Sequence, residues 1–217
     1  MLTTENIHKS YDSLEVLKGI DLHVQKGEIV SIVGVSGAGK STLLHILGTL
    51  DNPDTGKILL SGKEITALSN KRIAGFRNRH IGFVFQFHNL LPEFTALENV
   101  CIPGFIAGIK QEEVYRKGEE LLEKLGLGPR KDHKPSELSG GEQTRTAVAR
   151  ALINNPDIIF ADEPSGNLDS KNAKELYDLF LKLREEFGQT FVIVTHNPEL
   201  AKLADRILEI KDGVIVK

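Results

Sequence analysis

Glu28-Ile-Val-Ser-Ile-Val-Gly-Val-Ser-Gly-Ala-Gly-Lys-Ser-Thr42 decides the fold. The apolar run Ile29 to Val33 reads as a buried strand, and it breaks at Gly34 into a glycine-rich turn before Lys40-Ser41-Thr42 opens a helix. Gly34, Gly39, Lys40 and Ser41 fit G-x-x-x-x-G-K-[ST], a phosphate-binding loop between a strand and a helix. The physics is anion capture. Gly34, Gly37 and Gly39 carry no Cβ, so successive backbone N–H groups can face one concavity around Ser36 and Ala38. The helix beginning at Lys40 brings its positive end to the same place. Lys40 is expected on the β and γ phosphates, the Ser41 hydroxyl on Mg²⁺, and Thr42 close to the phosphates.

Working outward, the upstream segments Leu2–His8, Glu15–Leu17 and Ile20–Val24 read as short strands, with Tyr11-Asp12-Ser13 and Lys26-Gly27 as turns. Downstream come a helix from Lys40 to about Leu47, a turn cluster over Asp51–Gly56, a strand over Lys57–Leu60 and a basic helix over Asn70–Arg79. Ile81–Phe85 is a continuous apolar strand that ends in Gln86. From Phe87 the apolar residues Leu90, Leu91, Phe94, Leu97 and Pro103 follow no period, and the stretch reads as loop. Val114, Gly118, Leu121, Leu122 and Leu125 then recur at helical spacing, stopped by Gly126. A further helix opens in Pro135–Gln143 and runs to about Ile153, so residues 88–155 read as a helical insertion. The remaining residues, 1–87 and 156–217, read as an α/β core.

Within that core, Ile158–Glu163 is a buried strand that delivers Asp162 and Glu163 at its end. Two carboxylates leaving an apolar strand are costly unless paired or metal-linked. After a phosphate loop, Asp162 suits the Mg²⁺ side and Glu163 the attacking water. Leu176, Leu179, Phe180, Leu183 and Phe187 form an apolar helix stripe expected to be core. Thr190–Thr195 is a second apolar strand, and it ends at His196, on the strand edge where α/β sheets gather ligands. Asn197-Pro198 starts a short helix, and Ile207–Val216 reads as a hairpin turning at Asp212-Gly213. Ser139-Gly140-Gly141 at a helix start suits either an ordinary N-cap or a second phosphate contact. The other six histidines, His8, His23, His45, His80, His88 and His133, are assigned to surface or packing roles, since none pairs at metal-ligand spacing.

The bulk numbers narrow the classes. A net charge of −3 over 217 residues argues against a surface built to coat nucleic acid. One cysteine excludes an internal disulfide framework and suits a reducing compartment. No apolar run approaches the roughly 18 residues of a membrane span, and no signal peptide is expected at Met1-Leu-Thr-Thr-Glu-Asn. Any membrane role is therefore expected to come through a partner, without direct insertion.

In its order of motifs the whole chain resembles the ATP-binding-cassette ATPases. Gly34–Thr42 is similar to their Walker A, Gln86 to the Q-loop glutamine, and Leu138-Ser-Gly-Gly-Glu142 to the signature motif. Ile158–Glu163 resembles Walker B with its catalytic glutamate, Ser165–Asp169 the D-loop, His196 the switch histidine and Tyr11 the aromatic that stacks on adenine. The resemblance implies a P-loop (RecA-like) core with an antiparallel β subdomain and a helical subdomain. It also implies ATP and Mg²⁺ as ligands. Two copies would close head to tail, ATP lying between one P-loop and the partner's signature turn, Ser139, Gly140, Gly141 and Glu142. Ser41, Gln86 and Asp162 would surround Mg²⁺. More narrowly, Ile81–Val100 and Ala161–Asp169 resemble the lipoprotein-releasing group, whose relatives are MacB-type exporters and FtsE-type division ATPases. That implies a peripheral subunit on the cytoplasmic face of the inner membrane, with a permease docking near Phe87–Phe94. Thr144, Thr146 and Asn197 depart from the family's usual residues without touching the phosphate chemistry.

Overall fold

The computed structural model describes residues 1–216. In chain order the elements are β1 (Leu2–Tyr11), β2 (Leu14–Val24), β3 (Ile29–Val33), α1 (Lys40–Leu47), β4 (Thr55–Leu60), β5 (Lys63–Glu64) and α2 (Asn70–His80). There follow β6 (Ile81–Phe85), α3 (Ala96–Ile106), α4 (Gln111–Lys124), α5 (Gly140–Leu152), β7 (Ile158–Asp162) and α6 (Ser170–Phe187). The chain closes with β8 (Thr190–Val194), α7 (Pro198–Ala201), β9 (Arg206–Lys211) and β10 (Val214–Ile215). Two compact units result: residues 1–74 with those from 180 onward, and residues 75–179.

The first unit holds an antiparallel sheet in the order β2-β1-β4-β5. The upstream segments that read as three strands are two, because Gly19 (φ 77) lets β2 run on past an irregular register. In the same unit β3 lies between β8 and β9 and is parallel to both, with Val30 opposite Val192 on one side and Arg206 on the other. Val30, Ile32 and Phe191 to Val194 are fully buried, the near-continuous apolar runs of strands covered on both faces. Leu43, Leu44, Ile46 and Leu47 of α1 are buried too, and the Phe180 and Phe191 rings meet at 4.8 Å. The expected C-terminal hairpin forms through left-handed Asp212 (φ 50) and Gly213 (φ 84). Phe187, expected within the α6 stripe, is 55% exposed at the helix end, while Ala173, Leu176, Tyr177, Phe180 and Leu183 are buried.

In the second unit β6 and β7 pair in parallel, with Phe85 opposite Asp162. The aperiodic stretch after Phe87 is not all loop: Ala96–Ile106 is helix α3. Its pattern misleads because Ala96, Leu97, Val100, Cys101 and Gly104 are buried while the exposed Phe105 and Ile106 are apolar too, leaving little polar face to mark a helical period. Pro103 inside the helix adds to the disguise. One signal was readable, the Thr95-x-x-Glu98 capping box, which forms here with both reciprocal bonds. Gly118 lets α4 approach α3, since a Cβ there would lie 2.8 Å from Cys101 Sγ. Burial pushes the Cys101 thiol up to about 12, which keeps it protonated and inert. Gly126 ends α4 as expected, with Leu127 N–H bonding the Leu122 carbonyl at 2.7 Å and Gly126 N–H the Glu123 carbonyl at 3.0 Å.

Asn99, fully buried on α3, shapes the loop before its own helix. Its Oδ1 accepts from Leu91 N at 2.8 Å. Its Nδ2 lies 3.1 Å from the Leu91 and Phe94 carbonyls and 3.0 Å from that of Thr95. Replacing it strands buried backbone groups, each worth about 1–3 kcal/mol. Asn99→Ala is therefore expected to lower the unfolding free energy by roughly 2–4 kcal/mol, read as a lower urea midpoint at unchanged slope.

Candidate functional site

In the first unit the site begins where β3 ends. Gly34 (φ 150) passes under the Ile210 carbonyl so closely that a Cβ would sit 2.2 Å from its oxygen. Val35, Ser36 and Gly37 are exposed, and Gly37 (φ 79) and Gly39 (φ 99) turn the backbone in a conformation L side chains avoid. Gly39 is also the N-cap of α1; it supplies no side-chain cap, and the first turn holds no acid. The positive end of α1 thus meets neither a capping side chain nor an acid of its own, the arrangement expected of a phosphate loop. The Lys40 ammonium lies over the loop, donating to the Gly34 carbonyl at 2.9 Å and the Val35 carbonyl at 3.0 Å. Ser41 is exposed beside it, and Thr42 half-buried.

Two more expected residues stand in this unit. His196 follows β8 and is exposed, lining a cavity with Val33, Gly34, Thr195, Pro198 and Ala201. It therefore shares its surroundings with the start of the phosphate loop. Asn197 next to it caps α7, accepting from Glu199 N at 3.0 Å and Leu200 N at 3.2 Å, which accounts for its amide side chain. Tyr11 ends β1 and is 47% exposed. Its hydroxyl donates to Asp51 Oδ2 at 2.6 Å, and Lys9 Nζ stands 5.0 Å from the ring centroid. The Asp51 hydrogen bond, with burial and the Asp51 charge, raises the phenol's pKa against an opposing contact from Thr42. Burial pulls the Asp51 carboxyl up, but the hydrogen bonds from Tyr11 and Lys9 outweigh it and hold the group below its ordinary value. The ring is thus fixed at its hydroxyl end.

The second unit brings together the other expected groups. Phe85 and Asp162 are register partners on parallel strands, so Gln86, Asp162 and Glu163 emerge at one strand edge. Gln86 is held by Asn167 through two bonds, Gln86 Nε2 to Asn167 Oδ1 at 3.1 Å and Asn167 Nδ2 to the Gln86 carbonyl at 3.0 Å. Gly166 permits that closeness, as a Cβ would meet Gln86 Nε2 at 2.7 Å. Glu163 has φ 47, an outlier for a glutamate, and its carbonyl accepts from Gly166 N at 2.9 Å to close the turn. Asn167 carried no sign in the sequence of its tie to Gln86, because the two are 81 residues apart.

Ser139 is the N-cap of α5. Its Oγ accepts from Glu142 N at 3.3 Å and donates to Glu142 Oε2 at 2.8 Å, while Ser139 N donates to the same oxygen at 2.8 Å. Arg130 Nε, which no motif in the sequence marks, reaches Glu142 Oε1 at 3.0 Å. The Ser139 bonds first, then Arg130, hold the Glu142 carboxyl below its ordinary value. Gly140 is exposed and Gly141 buried, where a Cβ would meet Asn172 Oδ1 at 2.9 Å. The turn is an N-cap, the plainer of the two expectations, and it also exposes the leading end of a 13-residue helix.

Among the described residues no helix is long and apolar enough to cross a membrane. Residues 17–166 match the family model described as ABC transporter. The chain is 60% identical over 216 residues to the lipoprotein-releasing system ATP-binding protein LolD of Bacteroides fragilis (strain YCH46), covering 100% of both. It is 56% identical to the LolD of Aquifex aeolicus (strain VF5), covering 100% of this chain and 96% of the relative. Among solved structures, the dimeric ATP-binding cassette MJ0796, in a post-hydrolysis state bound to ADP and Pi, superposes with a TM-score of 0.91 at 41% identity, over 100% of this chain and 97% of that one. With the glycine cradle, the strand-edge acids and the capped serine-glycine-glycine turn in place, the chain belongs to the ABC transporter family, as one of its ATP-hydrolysing cassettes.

Proposed function

We propose that this chain is the ATP-hydrolysing subunit of a membrane transporter that releases lipoproteins from the inner membrane. The observation that carries the reading is the end-to-end match at 60% identity to a lipoprotein-releasing ATPase. The cradle chemistry supports its nucleotide half. Three glycines at positive φ and an uncapped helix start suit a polyphosphate, and Lys40 can leave its two loop carbonyls for the β and γ phosphates. Tyr11 offers a ring anchored at its hydroxyl for stacking on adenine. Ser41, Gln86 and Asp162 offer a hydroxyl, an amide oxygen and a carboxylate, the all-oxygen donor set that a hard cation takes. These three side chains would hold Mg²⁺, which would supply neutralisation of charge on the phosphates.

Glu163, which follows the end of β7, orients or deprotonates the attacking water. His196, near Gly34, holds the γ-phosphate end. Each chain has one P-loop and one signature turn, so two copies arranged head to tail make two complete sites, each with the partner's Ser139, Gly140, Gly141 and Glu142 against the triphosphate. A dimeric relative with a TM-score of 0.91 supports that arrangement. Contacts to the γ-phosphate exist only before hydrolysis, so turnover alternates closure and opening. Residues 88–155 serve as the helical subdomain. Phe87, Leu91 and Phe94, exposed by 75%, 43% and 41%, form the surface on which cytoplasmic permease segments dock, holding the chain at the membrane's cytoplasmic face.

Glu163→Gln is expected to retain ATP binding and lose turnover by about 10²–10⁴-fold, and to run as a dimer in size exclusion when ATP is present. Wild-type turnover in this variant, or a monomer under ATP, overturns the assignment. Lys40→Ala is expected to weaken ATP binding by about 10–100-fold, read by titration calorimetry. Co-purified from membranes with ATP, Glu163→Gln is expected to bring down a multispan permease carrying lipoprotein cargo. Recovery of division-machinery components alone would overturn the lipoprotein-release reading in favour of an FtsE-type ATPase of the cell envelope.

A further inference from the structure

Directly after Gln86 and Phe87 the backbone makes two successive left-handed residues, His88 (φ 57) and Asn89 (φ 50). Neither is glycine, and L residues visit this region rarely and singly. The grip that holds the turn comes from α5, some sixty residues onward. Arg150 Nη2 donates to the His88 carbonyl at 2.6 Å and Nη1 to the Asn89 carbonyl at 2.6 Å. A guanidinium is a rigid fork, and it fits these two neighbouring carbonyls only while the turn aims both at α5. Burial draws the Arg150 pKa down, so the charged fork depends on those carbonyls for the solvation it has lost.

The same helix meets the turn at a second point. His88 is buried, and its Nε2 stands 3.5 Å from Thr144 Oγ1. Thr144 also bonds its own helix, donating to the Gly140 carbonyl at 2.9 Å. Phe87, next to this clamped turn, is 75% exposed. Ser139 and Arg150 lie eleven residues apart at the two ends of α5, about 16 Å along one rod.

We propose that Arg150 is a positioning residue: its fork holds the left-handed His88–Asn89 turn and thereby fixes Phe87, and the surface it begins, to the helix that starts at Ser139. This rests on the reading of Phe87–Phe94 as the docking surface. Through Arg150, a shift at the nucleotide end of α5 is passed to that surface as a rigid displacement. A buried arginine with a merely structural role would instead stabilise the unit without depending on the turn's handedness.

The test is a double-mutant cycle at Arg150 and the exposed Asn89, read by amide hydrogen exchange in the full chain. Arg150→Lys keeps the charge but loses the fork, and is expected to speed exchange over residues 87–91 about tenfold. Asn89→Val, β-branched and ill suited to positive φ, should speed the same amides severalfold when Arg150 is present and add almost nothing once it is lysine. Exchange unchanged in Arg150→Lys, or effects of the two substitutions that simply multiply, would overturn the proposal. Should Arg150→Lys not fold, the Arg150 Nη protons decide by NMR. Resolved signals that collapse in Asn89→Val support the clamp, and identical signals in the two chains refute it. Phe87→Asp, in the co-purification with Glu163→Gln, tests docking separately. If it still recovers the permease, the docking reading fails, while the exchange cycle decides the Arg150 clamp independently.

Discussion

A single carbonyl oxygen, that of Ile210, occupies the place where a side chain on Gly34 would begin. That close approach lets β9 pair along β3 up to the strand's last residue, with Val33 opposite Glu209. The chain then leaves the sheet directly into a turn in which Val35, Ser36 and Gly37 are exposed. Any larger residue at Gly34 would push the strands apart or bend the loop off the start of α1. The cradle is therefore a by-product of tight strand packing as much as of flexible residues. Its anion-seeking character follows from the start of α1, which has neither a side-chain cap nor a first-turn acid.

The second unit instead ties several polar groups near its working parts to one another. Gln86 is bracketed by Asn167, and Ser139 is locked into a reciprocal cap with Glu142, itself braced by Arg130. Asn99 saturates a buried loop with its one amide, and Asn78 and Asn154 both bond the carbonyl of Pro103, in the middle of α3. These ties rigidify segments with no regular backbone ladder, and rigid placement is what an electrostatic site requires. The strain at Glu163 and at the His88–Asn89 turn persists because such neighbours over-determine the backbone there.

A group of apolar side chains is exposed just after Gln86. Phe87, Leu91 and Phe94 remain outside although Asn99 and Arg150 bond the backbone between them. Loops with exposed apolar side chains are ordinarily soft. Here the backbone is anchored from two helices, so a partner would meet a surface that needs little ordering on contact.

Much of this was legible in the residues alone. Gly34 to Thr42 announced the cradle because chemistry and backbone freedom coincide there: only glycine serves the turns, and only Lys-Ser/Thr serves the phosphates. The strands Ile29–Val33, Ile81–Phe85, Ile158–Asp162 and Thr190–Val194 were legible because burial on both faces leaves a near-continuous apolar run. Helix α3 was not, since apolar residues on its exposed side, Phe105 and Ile106, erase the period that betrays a helix, and Pro103 argued against one. The pairings of Asn167 with Gln86, Arg130 with Glu142 and Arg150 with the His88–Asn89 turn had no local signature either. Sequence by itself determined which groups could bind phosphate, carry a metal or move a proton, because those capacities belong to single side chains and short backbone patterns. Tertiary structure alone decided which polar groups are held and which are left open, because a hydrogen bond across many residues depends on where packing brings its two ends.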